Sequence, residues 1–279
     1  MRLHKVIAMK TLKLPIYQVN AFTTRFNGGN PAGVCLLDGW LSESILQEIA
    51  TENGFSETAF VVKNEEKGYY EIRWFSPGCE IGLCGHATLA SAFILRNEKN
   101  IDEETITFSS KRGVITVSID GDQYILDMPK MTPELIEAPA SLIRGLGVVP
   151  IDVLKSEDYL VIINDEETLR NLKPNFSLVQ QIDLRGTIVS CRSNRSGIDF
   201  VSRWFGSEKV GVVEDQVTGS AHCTLAPYWS EKLGKARLIA KQLSHRQGDL
   251  VCEVQDQRVL ISGQAVLYMK GHIFVQNTN

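Results

Sequence analysis

The stretch "RWFSPGCEIGLCGHATLASA", Arg73–Ala92, has a distorted second copy in "RWFGSEKVGVVEDQVTGSAHCTLAPYW", Arg203–Trp229. Each copy runs from Arg-Trp-Phe into a glycine-bearing loop that ends in Gly-His-Ala or Gly-Ser-Ala. The copies fall at equivalent places in the two halves of the chain. That placement predicts two similar halves, each contributing one wall of a single cleft.

Reading outward, "LPIYQVNAF" (14–22) alternates and is rich in β-formers, so it predicts a strand. "NGGNPAGVCLL" (27–37) reads as a turn and then a strand from about Gly33. Ser42 is placed to cap a helix whose Ile45, Leu46, Ile49 and Ala50 share one stripe and which Gly54 stops. "ETAFVVK" (57–63) and "YYEIRWF" (69–75) form a further strand pair, and "HATLASAFILR" (86–96) has the length and residues of a buried helix. Short strands near 105–108, 113–119 and 123–127 close the first half.

"KMTPELIEAPA" (130–140), with two prolines, marks the crossover between halves. The second half repeats the recipe: a helix from about 141, strands near 159–163 and 187–190, and the strand "DFVSRWF" (199–205). "GSAHCTLAPYWSEKLG" (219–234) is a helix interrupted or bent near Pro227 and stopped by Gly234. Strands joined by turns at 247–249, 255–257 and 262–264 complete the chain. The expected class is therefore α+β, two halves each with one central helix. The boundaries are a loosely ordered extension over 1–12, a first domain over 13–128 and a second over 129–279, its last residues returning to the first.

At 279 residues the chain has room for two ordinary domains, and 43% hydrophobic with 22% charged residues is a globular composition. The formal net charge of −4 and the lack of any basic run interleaved with aromatics argue against a nucleic-acid partner. Residues 1–12 have no apolar core of signal-peptide length, and no run of about eighteen apolar residues suggests a membrane span. A cytoplasmic protein with reduced thiols is expected, its six cysteines being scattered rather than framed. Cys79, Cys84 and His86, like His222-Cys223, lack the paired spacing of zinc ligands, so no metal is expected. No G-x-G-x-x-G follows a strand and no G-K-[ST] occurs, which argues against a dinucleotide or P-loop enzyme.

A helix start exposes unpaired N–H groups with partial positive charge, and suits a carboxylate or phosphate. Gly85 and Gly219 stand where two such starts are expected, and glycine admits a close approach. The ionisable candidates are Glu57, His86, Asp215 and His222, with Glu214 and Cys84 behind them. Glu57 sits at a loop-to-strand junction before apolar residues, where desolvation raises a carboxyl pKa toward values useful for proton transfer. A salt-bridged structural glutamate is the alternative. Asp215 precedes a helix start that stabilises a carboxylate whether or not it reacts, and a glycine turn is a poor place for His86 as a core residue.

"GNPAGV", "SETAFVV", "LCGHATLA", "VTGSAH" and "SHRQGDLV", in this order, resemble the phenazine biosynthesis-like (PhzF-like) family, whose fold is that of diaminopimelate epimerase. The resemblance covers nearly the whole chain after residue 12. It implies two pseudo-symmetric domains, each a rolled, mostly antiparallel sheet around a central helix, with the active site between them. It further implies a homodimer, and isomerisation of a small carboxylate-bearing substrate without metal or organic cofactor. By the same resemblance Glu57 is the acid/base, Gly85 and His86 form the first wall, Asp215, Gly219 and Ser220 the second, and Asn30 lines the cleft. The chain departs from the family's usual motifs at Gly82, where an Asp is common, and at Gln216, where a Pro is common.

Diaminopimelate-type epimerases place one cysteine in each half. Here "LCGHA" aligned on "VTGSA" sets Cys84 opposite Thr218, which is no acid near neutral pH, so a two-thiol mechanism lacks a member. Cys84 remains a candidate for a thiol role at a helix start. The rival readings are a cysteine-assisted racemase or epimerase and a non-catalytic protein-binding member of the same fold.

Overall fold

The computed structural model describes residues 10–277. The first half runs through β1 (Lys10–Ala21), β2 (Asn30–Leu37), α1 (Glu43–Asn53), β3 (Glu57–Asn64), β4 (Tyr69–Phe75), the short β5 (Glu80–Ile81), α2 (Gly85–Glu98), β6 (Thr105–Ser110), β7 (Gly113–Asp120) and β8 (Gln123–Pro129). The second runs through β9 (Glu134–Leu135), α3 (Ala140–Leu146), β10 (Asp152–Lys155), β11 (Tyr159–Ile162), α4 (Glu166–Asn171), α5 (Phe176–Val179), β12 (Gly186–Arg192) and β13 (Phe200–Gly206). It continues with β14 (Glu214–Asp215), α6 (Gly219–Leu233), β15 (Arg237–Gln242), β16 (Gly248–Val254), β17 (Arg258–Gly263) and β18 (Ala265–Asn277).

The two halves use one pairing scheme. β1–β2 and β3–β4 are antiparallel with the parallel pair β2–β3 between them, and β4 crosses over α2 to parallel β6, followed by antiparallel β7 and β8. β10 to β13 repeat this order, and β13 crosses over α6 to parallel β15, then antiparallel β16 and β17. A parallel pair needs a long crossover, which is why a helix follows each Arg-Trp-Phe strand. β8 pairs with β17 to join the halves, and β18 returns to pair antiparallel with β1.

α2 shows why each sheet rolls. A surface helix buries one stripe, but α2 buries ten of its residues between Gly85 and Leu95 and touches strands on several sides, β1, β2, β3, β7 and β8 among them. Its small residues let strands approach, and its buried hydroxyls bond back onto the helix: Thr88 Oγ1 to Cys84 O at 2.6 Å and Ser91 Oγ to Ala87 O at 2.7 Å. The largest apolar cluster runs unbroken through both halves, from Val19 and Ala90 to Ala226 and Ile261. No helix among the described residues is long and apolar enough to cross a membrane.

Several expectations change in detail. Of the extension expected over 1–12, residues 1–9 lie outside the described residues, and 10–12 belong to β1. β2 begins at Asn30 rather than Gly33. Ser42 precedes α1 without a side-chain capping bond, whereas Gly54, at φ 65°, ends that helix as expected. β10, α4, α5, β15 and the two-residue strands β5, β9 and β14 add to the expected elements. Pro227 does not interrupt α6, which is continuous over its 15 residues. Proline cannot donate to the carbonyl four residues back, and here Met131 N–H takes that place on Cys223 O at 3.0 Å. The proline-bearing crossover between the halves thus supplies the donor that Pro227 lacks.

Candidate active site

The repeated Arg-Trp-Phe builds two matching brackets. Arg73 forks onto Glu80 at 2.8 and 2.7 Å, and Arg203 forks onto Glu214 at 2.7 and 2.8 Å. Each guanidinium also lies over the phenylalanine two residues on, Phe75 at 5.1 Å and Phe205 at 4.8 Å. The forks hold β5 and β14 against β4 and β13, so both chains leave for their helices from equivalent points. In this register Ile81 matches Asp215, each opposite the motif's tryptophan.

The two helix starts therefore meet. A Cβ added to Gly85 would stand 3.7 Å from Gly219 Cα, and one added to Gly219 would stand 3.8 Å from Gly85 Cα. A Cβ at either position would make only an ordinary van der Waals contact, so the two starts lie against each other without either glycine being required for it. Among the described residues, the N–H groups of Gly85, His86, Gly219 and Ser220 find no acceptor. They remain free for an anion at the mouth of the junction.

A cleft of about 100 Å³ opens there, with Glu57, Cys84, His86, Asp215 and Ser220 among its lining. Asn30, fully buried, ties its walls together: Nδ2 donates to Asp215 Oδ1 at 2.8 Å and to Val217 O at 2.9 Å, and lies 3.2 Å from His86 Nδ1. Asp215 also accepts from Gln216 N–H at 2.9 Å and from Thr218 Oγ1 at 2.7 Å. Gln216 thus supplies an N–H that the family's usual proline lacks. His86 Nδ1 faces Asn30 and, at 3.5 Å, Cys84 Sγ. Burial holds the imidazole below its ordinary pKa, with Asp215 opposing more weakly.

Glu57, the first residue of β3, completes the floor. His86 Nε2 lies 3.3 Å from Glu57 Oε2, yet the atoms are not aligned as a hydrogen bond and both are buried without a partner among the described residues. Each such orphan costs about 1–3 kcal/mol, which a ligand's polar or reacting atom relieves. The Glu57 carboxyl is pushed up to about 8, first by burial and then by the charge of Asp215, while Arg185 pulls it back. Burial, with Glu57 next, lifts the Cys84 thiol well above its usual range. Glu57, Cys84 and His86 have ligand atoms within 4.8 Å of one another, so these three would hold a soft cation, though only at the cost of deprotonating that thiol.

Three candidates stay out of the cleft's lining; Asn30, expected to line it, is fully buried and braces the walls instead. Glu214 is committed to Arg203. His222 is fully buried in α6, with Nδ1 2.9 Å from Thr218 O, and burial lowers its pKa to about 4. Sequence reasoning missed Arg185 and Asp158, which precede β12 and β11 and pair at 3.0 and 2.5 Å across the second wall. It also missed the apolar lips, Ile81, Leu83, Val210 and Val212. Only Trp204, already inside the repeated motif, pointed toward that wall. At Gly82, a Cβ would stand 2.5 Å from Arg112 Nε, so an arginine side chain covers the position where the family commonly has a carboxylate.

Two rolled, pseudo-symmetric α+β domains whose central helices meet end to end at a polar cleft define the diaminopimelate epimerase-like fold. A family model described as phenazine biosynthesis-like protein matches residues 19–271, and the chain belongs to that family. A Pseudomonas aeruginosa protein named an uncharacterized isomerase is 48% identical over 260 residues, 93% of this chain and 98% of its own. Another so named, from Halalkalibacterium halodurans, is 46% identical over 264 residues, 94% of this chain and 98% of its own. The crystal structure of a PhzF-family phenazine biosynthesis protein from Enterococcus faecalis matches with a TM-score of 0.90 at 42% identity, covering 95% of this chain and 100% of that one.

Proposed function

We propose that the protein is a cofactor-independent isomerase that moves a proton on a small carboxylate-bearing substrate, with Glu57 as its acid/base. The observation that carries this reading is the buried Glu57 carboxyl, raised to about 8, whose Oε2 has no partner and lies 3.3 Å from His86 at the junction of two helix starts. A base with a pKa near the working pH holds enough of its ionised form to take a proton and enough affinity to keep it.

In its ionised form Glu57 takes the proton from a substrate C–H. The electron pair of that bond passes into the substrate's conjugated system, and Glu57 returns the proton at another carbon. His86, neutral, presents its unpartnered Nε2 3.3 Å from the carboxyl, open to a polar or reacting atom of the substrate. The free N–H groups at Gly85 and Gly219, with the Ser220 hydroxyl, hold the substrate's carboxylate against the helix dipoles. Asp215, fixed by Asn30, Gln216 and Thr218, takes an amino or hydroxyl group and sustains the raised affinity of Glu57 for its proton. The names of the relatives, uncharacterized isomerases, support the reaction class. A cysteine-assisted mechanism is disfavoured by the raised Cys84 thiol and by Thr218 opposite it. A homodimer and a cytoplasmic location belong to the same proposal; sedimentation and fractionation test them.

The test is incubation of the protein with a panel of small unsaturated and amino acids in deuterated water. Deuterium entering a carbon position of at least one acid is expected. No carbon-bound deuterium in any member, with binding retained, favours the non-catalytic binder instead.

A further inference from the structure

Arg185 is the only cationic side chain lining the cleft among the described residues. Its Nε–H and one Nη2–H are committed to Asp158, at 3.0 and 2.5 Å. Asp158 is 1% exposed and also accepts Trp204 Nε1–H at 3.0 Å, so it faces away from solvent and acts as a fixed anchor. The guanidinium lies over the Trp204 ring at 5.6 Å, which holds its plane. Its Nη1 donates to Ser220 Oγ at 3.0 Å.

Two consequences follow from counting donors. A guanidinium has five N–H groups, so three engaged bonds leave one on Nη1 and one on Nη2, on a side chain that keeps 30% of its surface accessible. The Ser220 oxygen already accepts from Arg185, which leaves its own proton free to donate to a ligand. Both free donors belong to the second wall, across from Glu57.

We propose that Arg185, anchored by Asp158, selects carboxylate-bearing ligands: its free Nη1–H and the Ser220 hydroxyl it orients receive the two carboxylate oxygens. This deepens the reading of the cleft as an acid-binding isomerase site and rests on it. A neutral amide of the same shape presents an NH₂ group to one of these donors and leaves it unpaired in a desolvated site, so the amide is rejected. Charge-assisted, geometrically fixed donors make that rejection strong.

The experiment measures binding of benzoate and benzamide, whose rings suit the apolar lips, to the full chain by calorimetry or NMR titration. The proteins are wild type, Arg185→Gln, and the double variant Asp158→Asn with Arg185→Gln. The double variant removes both charges together, which spares the fold an unpaired buried carboxylate. Wild type is expected to prefer benzoate by about tenfold or more, and both variants to lose that preference to within about twofold. Should the folded double variant keep the wild-type preference, the selector is not Arg185 and the inference falls while the acid-binding reading stands. Should wild type bind neither compound, or both equally, the acid-binding reading falls and takes this inference with it.

Discussion

Glu57 and Gly186 occupy equivalent positions in the two halves: each stands two residues before the one paired with the motif tryptophan, Ala59 with Trp74 and Ile188 with Trp204. The doubled scaffold therefore offers two places for a carboxyl group and fills one. A Cβ on Gly186 would stand 2.4 Å from Trp204 Cζ2 and 2.6 Å from Cε2, so the second ring occupies the space a side chain needs. Asp215, on the other wall, likewise matches apolar Ile81. The symmetry is kept in the brackets and broken in the chemistry, which leaves Glu57, among the described residues, as the one carboxyl with an unpartnered buried oxygen in the cleft.

Gly186→Ala follows directly. Trp204 is pinned through its indole N–H by Asp158 at 3.0 Å and cannot move aside cheaply. The expected loss is about 1–3 kcal/mol in urea unfolding. Gly78→Ala, with nothing within 4 Å of the added carbon, is the control and should stay within about 0.5 kcal/mol of wild type.

The raised affinity of Glu57 for its proton fixes two pH dependences. Carbon-bound exchange needs the ionised form, so its rate should climb with pH and level off above about 8. Stability runs the other way. The folded carboxyl titrates near 8 against 4.5 for the unfolded chain, so between these values the folded state binds more protons. Its contribution is full below 4.5 and is lost as pH rises through 8. Glu57→Gln, which cannot ionise, should be more stable than wild type at pH 9 by a few kcal/mol, on the order set by the shift, and nearly equal at pH 4. Thermal melting at the two pH values checks the sign.

Asn30→Asp should separate the walls. The change sets a carboxylate against Asp215 Oδ1 and Val217 O, the two acceptors Asn30 now satisfies at 2.8 and 2.9 Å. A loss of about 3–5 kcal/mol is expected at pH 7. The new acid's folded pKa is raised by its neighbour, so the loss should shrink as pH falls toward the unfolded carboxylate value. Asn30→Ala, lacking the charge, should show no such recovery.

Cys84 gives a chemical comparison. It is 6% exposed with its thiol raised, whereas Cys79 is exposed. Iodoacetamide at pH 7.5 should therefore label Cys79 and spare Cys84 in the folded protein. Cys84→Ala should slow exchange by less than about tenfold, against a thousandfold for loss of Glu57. Abolished exchange in that variant would instead favour the cysteine-assisted rival.

What the sequence reveals here depends on how local the cause is. The doubled motif, the helix starts at Gly85 and Gly219, and Glu57 before an apolar strand can all be read from residues a few positions apart. Arg185 and Asp158 cannot: they are 27 residues apart, with no motif, and come together because β11 and β12 run parallel. The continuity of α6 is hidden for the same reason, since the donor that replaces Pro227 comes from Met131, far back in the chain. The closeness of Gly85 and Gly219 depends on tertiary packing in its detail, although the doubled motif already suggests two helix starts facing one cleft.

The most direct measurement is the rate of carbon-bound deuterium incorporation by wild type and Glu57→Gln, compared on one responsive acid at pH 8 with folding checked in both. The proton-shuttle assignment predicts a fall of about 10³-fold in the variant. An unchanged rate in a folded Glu57→Gln protein would contradict it, and would move the chemistry to another group in the cleft.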